Sequence, residues 1–199
     1  GASTVPVSRQ NAGQVRVWDI LVRVFHWSLV ASFSIAYLTE DDFLSLHVAA
    51  GYTILGLIFI RLIWGFIGSR HARWSDFIKP PSEIIAYLRD AIRFKAHRHI
   101  GHNPAGGAMV LALIVSLIMT VITGLAVYGG QELSGPLASL LSNIPPGWAR
   151  QLKDVHEVFA NLTLLLVVLH LVGVAFASLQ HHENLVRSMI TGFKQRDPK

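Results

Sequence analysis

The chain's 199 residues are 52% hydrophobic and only 15% charged, with a mean hydropathy of +0.46. A soluble globular domain carries about 25% charged residues, so an ordinary water-soluble core is excluded. The net charge of +5 does not point to nucleic acid, because the basic residues sit between long apolar runs, as in loops at an anionic membrane face. With no cysteine, thiolate metal sites, disulfides, iron–sulfur clusters and covalent c-type haem attachment are excluded, and ten histidines become the main source of chemistry.

In chain order, residues 1–17 lack an apolar core and read as a solvated tail. A transmembrane helix needs about 20 mostly apolar residues, and four stretches qualify: 18–38, 46–67, 106–128 and 156–179. The first two are interrupted by Arg23, His26 and His47; the third has no charge; the fourth carries His156, Glu157 and His170. In the second loop, Ser82 can cap a helix, and Ile84, Ile85, Leu88 and Ile92 then recur at helical spacing opposite Arg89 and Arg93, as in a helix lying on the membrane interface. In the third loop, Leu137, Leu140, Leu141 and Ile144 predict a short lid before Pro145 and Pro146. Residues 193–199 read as a second tail. The predicted class is all-α: one integral membrane four-helix bundle over 18–192.

Lys and Arg give the orientation. Fifteen lie in the N-terminal segment, the second loop and the C-terminal tail, and two lie in the first and third loops. The positive-inside rule then predicts both termini in the cytoplasm.

A histidine inside a span is costly and suggests function, although a lone one serves equally well as an interhelical hydrogen-bond donor. The pattern decides between the two. His156 and His170 are fourteen residues apart, which returns them to within about 40° of one helix face and separates them by about 21 Å. His26 lies about 12 Å from the inner end of span one, and His170 about 13 Å from the inner end of span four. His47 and His156 both open their spans at the outer face. Two facing imidazoles make a bis-histidine haem site, whereas zinc needs three or four ligands in one cluster. The expected ligands are therefore His26 with His170 and His47 with His156, holding two b-type haems. Arg23, one turn before His26, and Arg61, near the inner end of span two, are candidates for a haem propionate; the alternative is a snorkelling positive-inside residue. Gly51, Gly56, Gly124 and Gly173 offer close approach for a flat macrocycle or ordinary small-residue packing.

WDILVRVFHW (18–27), HVAAGYTILGLIFIRLIWGFIGSRHARWSDF (47–77), GHNPAGG (101–107) and HENLVRSMITG (182–192) resemble the prokaryotic cytochrome b561 family, which includes cytochrome b subunits of nickel–iron hydrogenases. The resemblance implies a four-helix bundle, two b haems, axial histidines on spans one, two and four, and exchange with membrane quinone or quinol. It leaves the redox partner open between a soluble cytochrome c and a dehydrogenase subunit such as a hydrogenase.

The expected function is transmembrane electron transfer between the quinone pool and a redox partner in the bacterial inner membrane, as an electron carrier or quinone oxidoreductase. Quinone chemistry is expected at the inner haem, with His102 as proton donor, and a protein or soluble acceptor at the outer one. The rival is a haem-free bundle, either a metal or proton transporter or an assembly subunit, in which the histidines are relay or packing residues.

Overall fold

The computed structural model describes residues 13–40 and 42–196. Strand β1 spans Gln14–Arg16, helix α1 Ile20–Leu38 and helix α2 Leu44–Ile67. A 3-10 turn at Arg70–Ala72 leads to α3 (Trp74–Phe77), α4 (Pro81–Ile92), α5 (Pro104–Gly130) and α6 (Ala138–Leu141). Helix α7 runs over Pro146–Gln180, α8 over Leu185–Thr191, and strand β2 over Phe193–Gln195. Helices α1, α2, α5 and α7, of 19, 24, 27 and 35 residues, are long and apolar enough to cross a membrane. The chain is thus a helical protein with four candidate spans.

Three expectations shift. Helix α4 starts at Pro81 rather than behind a Ser82 cap: Pro80 holds the cap position, and Pro81 sits where a missing N–H costs nothing. The fourth span extends ten residues upstream, to Pro146, through the charged stretch Arg150–Asp154 that broke the apolar count. At 35 residues it is about 52 Å long, well beyond the ~30 Å hydrocarbon core. Part of the expected N-terminal tail is ordered, because β1 pairs antiparallel with β2, Val15 opposite Lys194. Residues 1–12 and 197–199 lie outside the described residues.

The chain forms two compact units. Among the described residues, the first comprises 13–25, Ile63–Ala108 and 171–196. Its core is Val17, Trp18, Val22 and Ala72, with Trp64, Ile100 and Met189 packed against it. Asp19 caps α1 by accepting from the Val22 N–H at 2.9 Å, and it also accepts from Trp64 Nε1 at 2.9 Å and from the Ser69 hydroxyl. Burial pushes its carboxyl up, but these hydrogen bonds outweigh burial and hold it below the usual range. Asn103 caps α5 in the same way, accepting from Gly106 N at 2.7 Å with Pro104 behind it. Gly192 closes α8 with φ +86°, and its carbonyl takes the N–H groups of Val17 and Trp18. A Cβ at Gly192 would meet the Trp18 carbonyl oxygen at 2.6 Å, so glycine is required there.

The second unit comprises His26–Leu62 and Met109–His170. Ala50, Ile54 and Ile58 of α2 and Ile114, Leu117 and Val121 of α5 are buried in it. Large apolar side chains such as Phe59 (65% exposed) and Leu165 (54%) face outward, the inverse of a soluble bundle and the surface that lipid covers. Inside, hydroxyls satisfy one another: Thr163, fully buried, meets Ser116 and Thr120 and donates to the Phe159 carbonyl at 2.8 Å.

Candidate functional site

All four singled-out histidines fall in the second unit, and the helices bring them together in two pairs. The rings of His47 and His156 stand 6.1 Å apart, centre to centre, with planes at 87°. Those of His26 and His170 stand 6.4 Å apart with planes at 57°. If two imidazoles bind one metal ion from opposite sides, with metal–nitrogen bonds of about 2.0–2.1 Å and ring centres ~1.1 Å beyond each nitrogen, the centres lie about 6.3 Å apart. Both pairs have that spacing. Each has two nitrogen donors only, and among the described residues no group of three or more His, Cys, Asp or Glu could hold a metal ion. A cofactor that fills its own equatorial plane suits such a donor set.

The hydrogen bonds of the outer pair fix which nitrogen is available. His47 Nδ1 lies 2.6 Å from the Ala36 carbonyl, and His156 Nδ1 lies 2.9 Å from the Thr120 carbonyl. A carbonyl only accepts, so both Nδ1 atoms carry the proton and both Nε2 lone pairs are free to ligate. The two rings border a mostly apolar cavity, lined among others by Phe33, Gly51, Leu117, Gly124 and Tyr128. Next to it a more polar space, bordered by the same two histidines, is lined by Glu40, Gln131, Glu132, Lys153 and Glu157. Gly124 lets the imidazole lie against α5, since a Cβ there would stand 3.0 Å from His156 Cε1. A Cβ at Gly51 would meet nothing within 4 Å, which leaves room beside His47.

At the other pair, His26 Nδ1 is buried with no hydrogen-bond partner among the described residues. The His26 ring also stands edge-on to Trp27 at 4.9 Å. Arg61 is 3% exposed. It lies fourteen residues after His47, as His170 lies fourteen after His156, so its guanidinium stem emerges at the depth of the His26–His170 pair. Arg23 is engaged elsewhere: its Nη1 donates to the Ile190 carbonyl at 3.0 Å and its Nε to the Asp19 carbonyl at 3.4 Å. His102 packs between aromatic rings, with Trp18 and Phe77 each at 4.7 Å.

Sequence reasoning missed the hydrogen-bond partners Ala36, Thr120 and Thr123. Ala36 in the first span and Thr120 in the third act through backbone carbonyls, which have no side-chain signature, and Thr123 is one hydroxyl among several in the third span.

The family model described as "Prokaryotic cytochrome b561" matches residues 17–192. Among curated relatives, the chain is 24% identical to a probable Ni/Fe-hydrogenase B-type cytochrome subunit of Rhodobacter capsulatus, over 90% of this chain and 81% of the relative. It is 25% identical to the protein of that description from Rhizobium leguminosarum bv. viciae, over 96% and 93%. A probable Ni/Fe-hydrogenase 1 B-type cytochrome subunit of Escherichia coli K12 is 28% identical over 56% of this chain and 59% of its own. No solved structure matches the chain.

Proposed function

The chain belongs to the prokaryotic cytochrome b561 family, and from that premise we propose that it moves electrons across the membrane through two b haems, one at His47–His156 and one at His26–His170. The observation that carries the reading is the pair of ring separations, 6.1 and 6.4 Å, each of which would let two imidazoles hold one iron between them. Bound haem supplies a one-electron iron couple. The residues supply the rest: the Ala36 and Thr120 carbonyls orient the outer imidazoles, the apolar walls exclude water, and Arg61 places a buried positive charge for a propionate of the inner haem. Arg23 stands one turn before His26 on α1 and is a second propionate candidate, through donors other than those it gives to backbone carbonyls. Lys153 serves the outer haem in the same way.

The membrane is the bacterial inner membrane, with both termini cytoplasmic by the distribution of Lys and Arg. Quinone exchanges electrons at the inner centre, with His102 as the proton-handling group, and a redox protein docks at the outer face. A hydrogenase is the partner the relatives' descriptions suggest, and a soluble cytochrome c is the alternative. The rival haem-free transporter is less well supported, because paired imidazoles with no third protein ligand suit neither zinc nor a carboxylate-based proton path.

Quinol-driven haem reduction tests the assignment of sides. His102→Ala slows reduction at least tenfold, while replacing residues 133–144 with a short linker slows only the exchange with an added protein partner. If His102→Ala reduces at the normal rate and the linker variant fails with quinol, the two sides are reversed.

A further inference from the structure

The two imidazole pairs are held differently. At the outer pair both rings donate to backbone carbonyls, His47 to Ala36 at 2.6 Å and His156 to Thr120 at 2.9 Å. His156 Nδ1 has a second acceptor, since Thr123 Oγ1 lies 3.1 Å away. That hydroxyl donates its own proton to the Met119 carbonyl at 2.7 Å, with the Thr120 carbonyl at 3.0 Å, so its lone pair faces the imidazole N–H. At the inner pair His26 Nδ1 is buried without any partner, and His170 has no hydrogen bond among the described residues.

Charge differs in the same sense. Glu40, Glu132 and Glu157 against the single cation Lys153 line the space beside the outer pair, whereas Arg61 is buried at the depth of the inner one.

Both differences act on an iron couple in a known direction. An imidazole whose N–H is hydrogen-bonded is the more basic ligand and favours the ferric state. Nearby carboxylates favour the extra positive charge of ferric iron, and a buried guanidinium opposes it. The effects add rather than cancel.

We propose that Thr123 is a positioning residue that, together with the Thr120 and Ala36 carbonyls, makes the His47–His156 centre the lower-potential member of the pair. The inference rests on two bis-histidine haem sites and goes beyond them by ordering the two centres and naming the residue that sets part of the gap. Thr123 does not touch the iron; it acts through the His156 ring.

The test is a redox titration of the purified haem-loaded protein, followed by optical and EPR spectra. His47→Ala identifies the outer wave, which is expected to be the lower of the two. Thr123→Val keeps the shape and removes the acceptor. At the wild-type outer midpoint it is expected to raise the reduced-to-oxidised ratio about three- to tenfold, a shift of roughly 30–60 mV at 59 mV per tenfold for one electron. Thr123→Ser restores the acceptor and the wild-type midpoint, and the inner wave stays in place throughout. Thr123→Ala serves if the valine variant does not assemble. Two results overturn the proposal while leaving the haem reading intact: the wave lost in His47→Ala is the higher one, or Thr123→Val moves neither wave or moves the inner one. Fewer than two haems in the wild-type protein removes the underlying reading, and the ordering with it.

Discussion

His156→Ala is expected to remove one haem and leave the other, lowering bound haem from two to about one per chain, and His47→Ala is expected to remove the same one. The rings of these two residues face each other at 6.1 Å across one cavity, so both would serve the same haem. A haem held by one remaining histidine would dissociate in detergent or turn high-spin. His26→Ala and His170→Ala are expected to deplete the second haem together, because their rings pair at 6.4 Å. The informative comparison is between pairs. Spectra of His26→Ala and His47→Ala must differ, each keeping the component the other lost. Full haem content with both haems still low-spin in any one of the four variants would remove that residue from the ligand set.

The largest expected effect on stability lies in the first unit. Arg98 Nη2 donates to Glu183 Oε2 at 2.8 Å and its Nε donates to the same oxygen at 3.1 Å, with both side chains largely buried. Arg98 also donates to the Gln195 carbonyl at 2.6 Å, tying the second loop to β2. Lys194 is 7% exposed nearby, and burial lowers its pKa against the raising influence of Glu183. Glu183→Gln therefore leaves two buried cations without their carboxylate, at a cost of about 3 kcal/mol. Thermal unfolding in detergent, read through protease accessibility of the C-terminal segment, measures it. Arg98→Met in the Glu183→Gln background should recover part of the loss, since one uncompensated charge goes with it.

The same unit carries a pH dependence. Burial lowers the pKa of His181, with Glu183 opposing and Arg98, His99 and Lys194 reinforcing. Burial also lowers that of His99, with the His97 carbonyl opposing and Lys79, His97 and Lys194 reinforcing. The unfolded chain then takes up protons at about pH 6.5, where the folded unit does not yet. Stability is full above that pH and falls as the pH drops toward the folded pKa values. In Glu183→Gln the fall is steeper, because the one group that favours His181 protonation is gone. A flat stability profile between pH 7 and 5 would contradict this.

The pairing of the four histidines was legible because a helix is periodic. Fourteen residues bring His156 and His170 to one face, and the same count brings His47 and Arg61 to one face of α2. Apolar length gave the spans, but it missed the start of α7, where Trp148–Asp154 is helical and polar together. The signal present there was Pro145–Pro146, a helix opening rather than a loop ending. The β1–β2 pairing joins residues about 180 positions apart through three residues on each side, too short for any alternation to register. Asp19, within WDILVRVFHW, was readable as a cap from its position before an apolar run. The carbonyls that orient His47 and His156 were not readable at all, since any helix supplies carbonyls and only the packing of α1 and α5 selects Ala36 and Thr120.

The most direct measurement of the central claim is haem stoichiometry with low-temperature EPR on the purified full-length chain. The account predicts two protoporphyrin IX haems per chain, both low-spin in the oxidised state, with the more anisotropic signal from the His47–His156 centre, whose ring planes stand at 87°. A protein that retains its fold yet binds no haem, or whose single haem survives alanine at both His47 and His156 and at both His26 and His170, would contradict it.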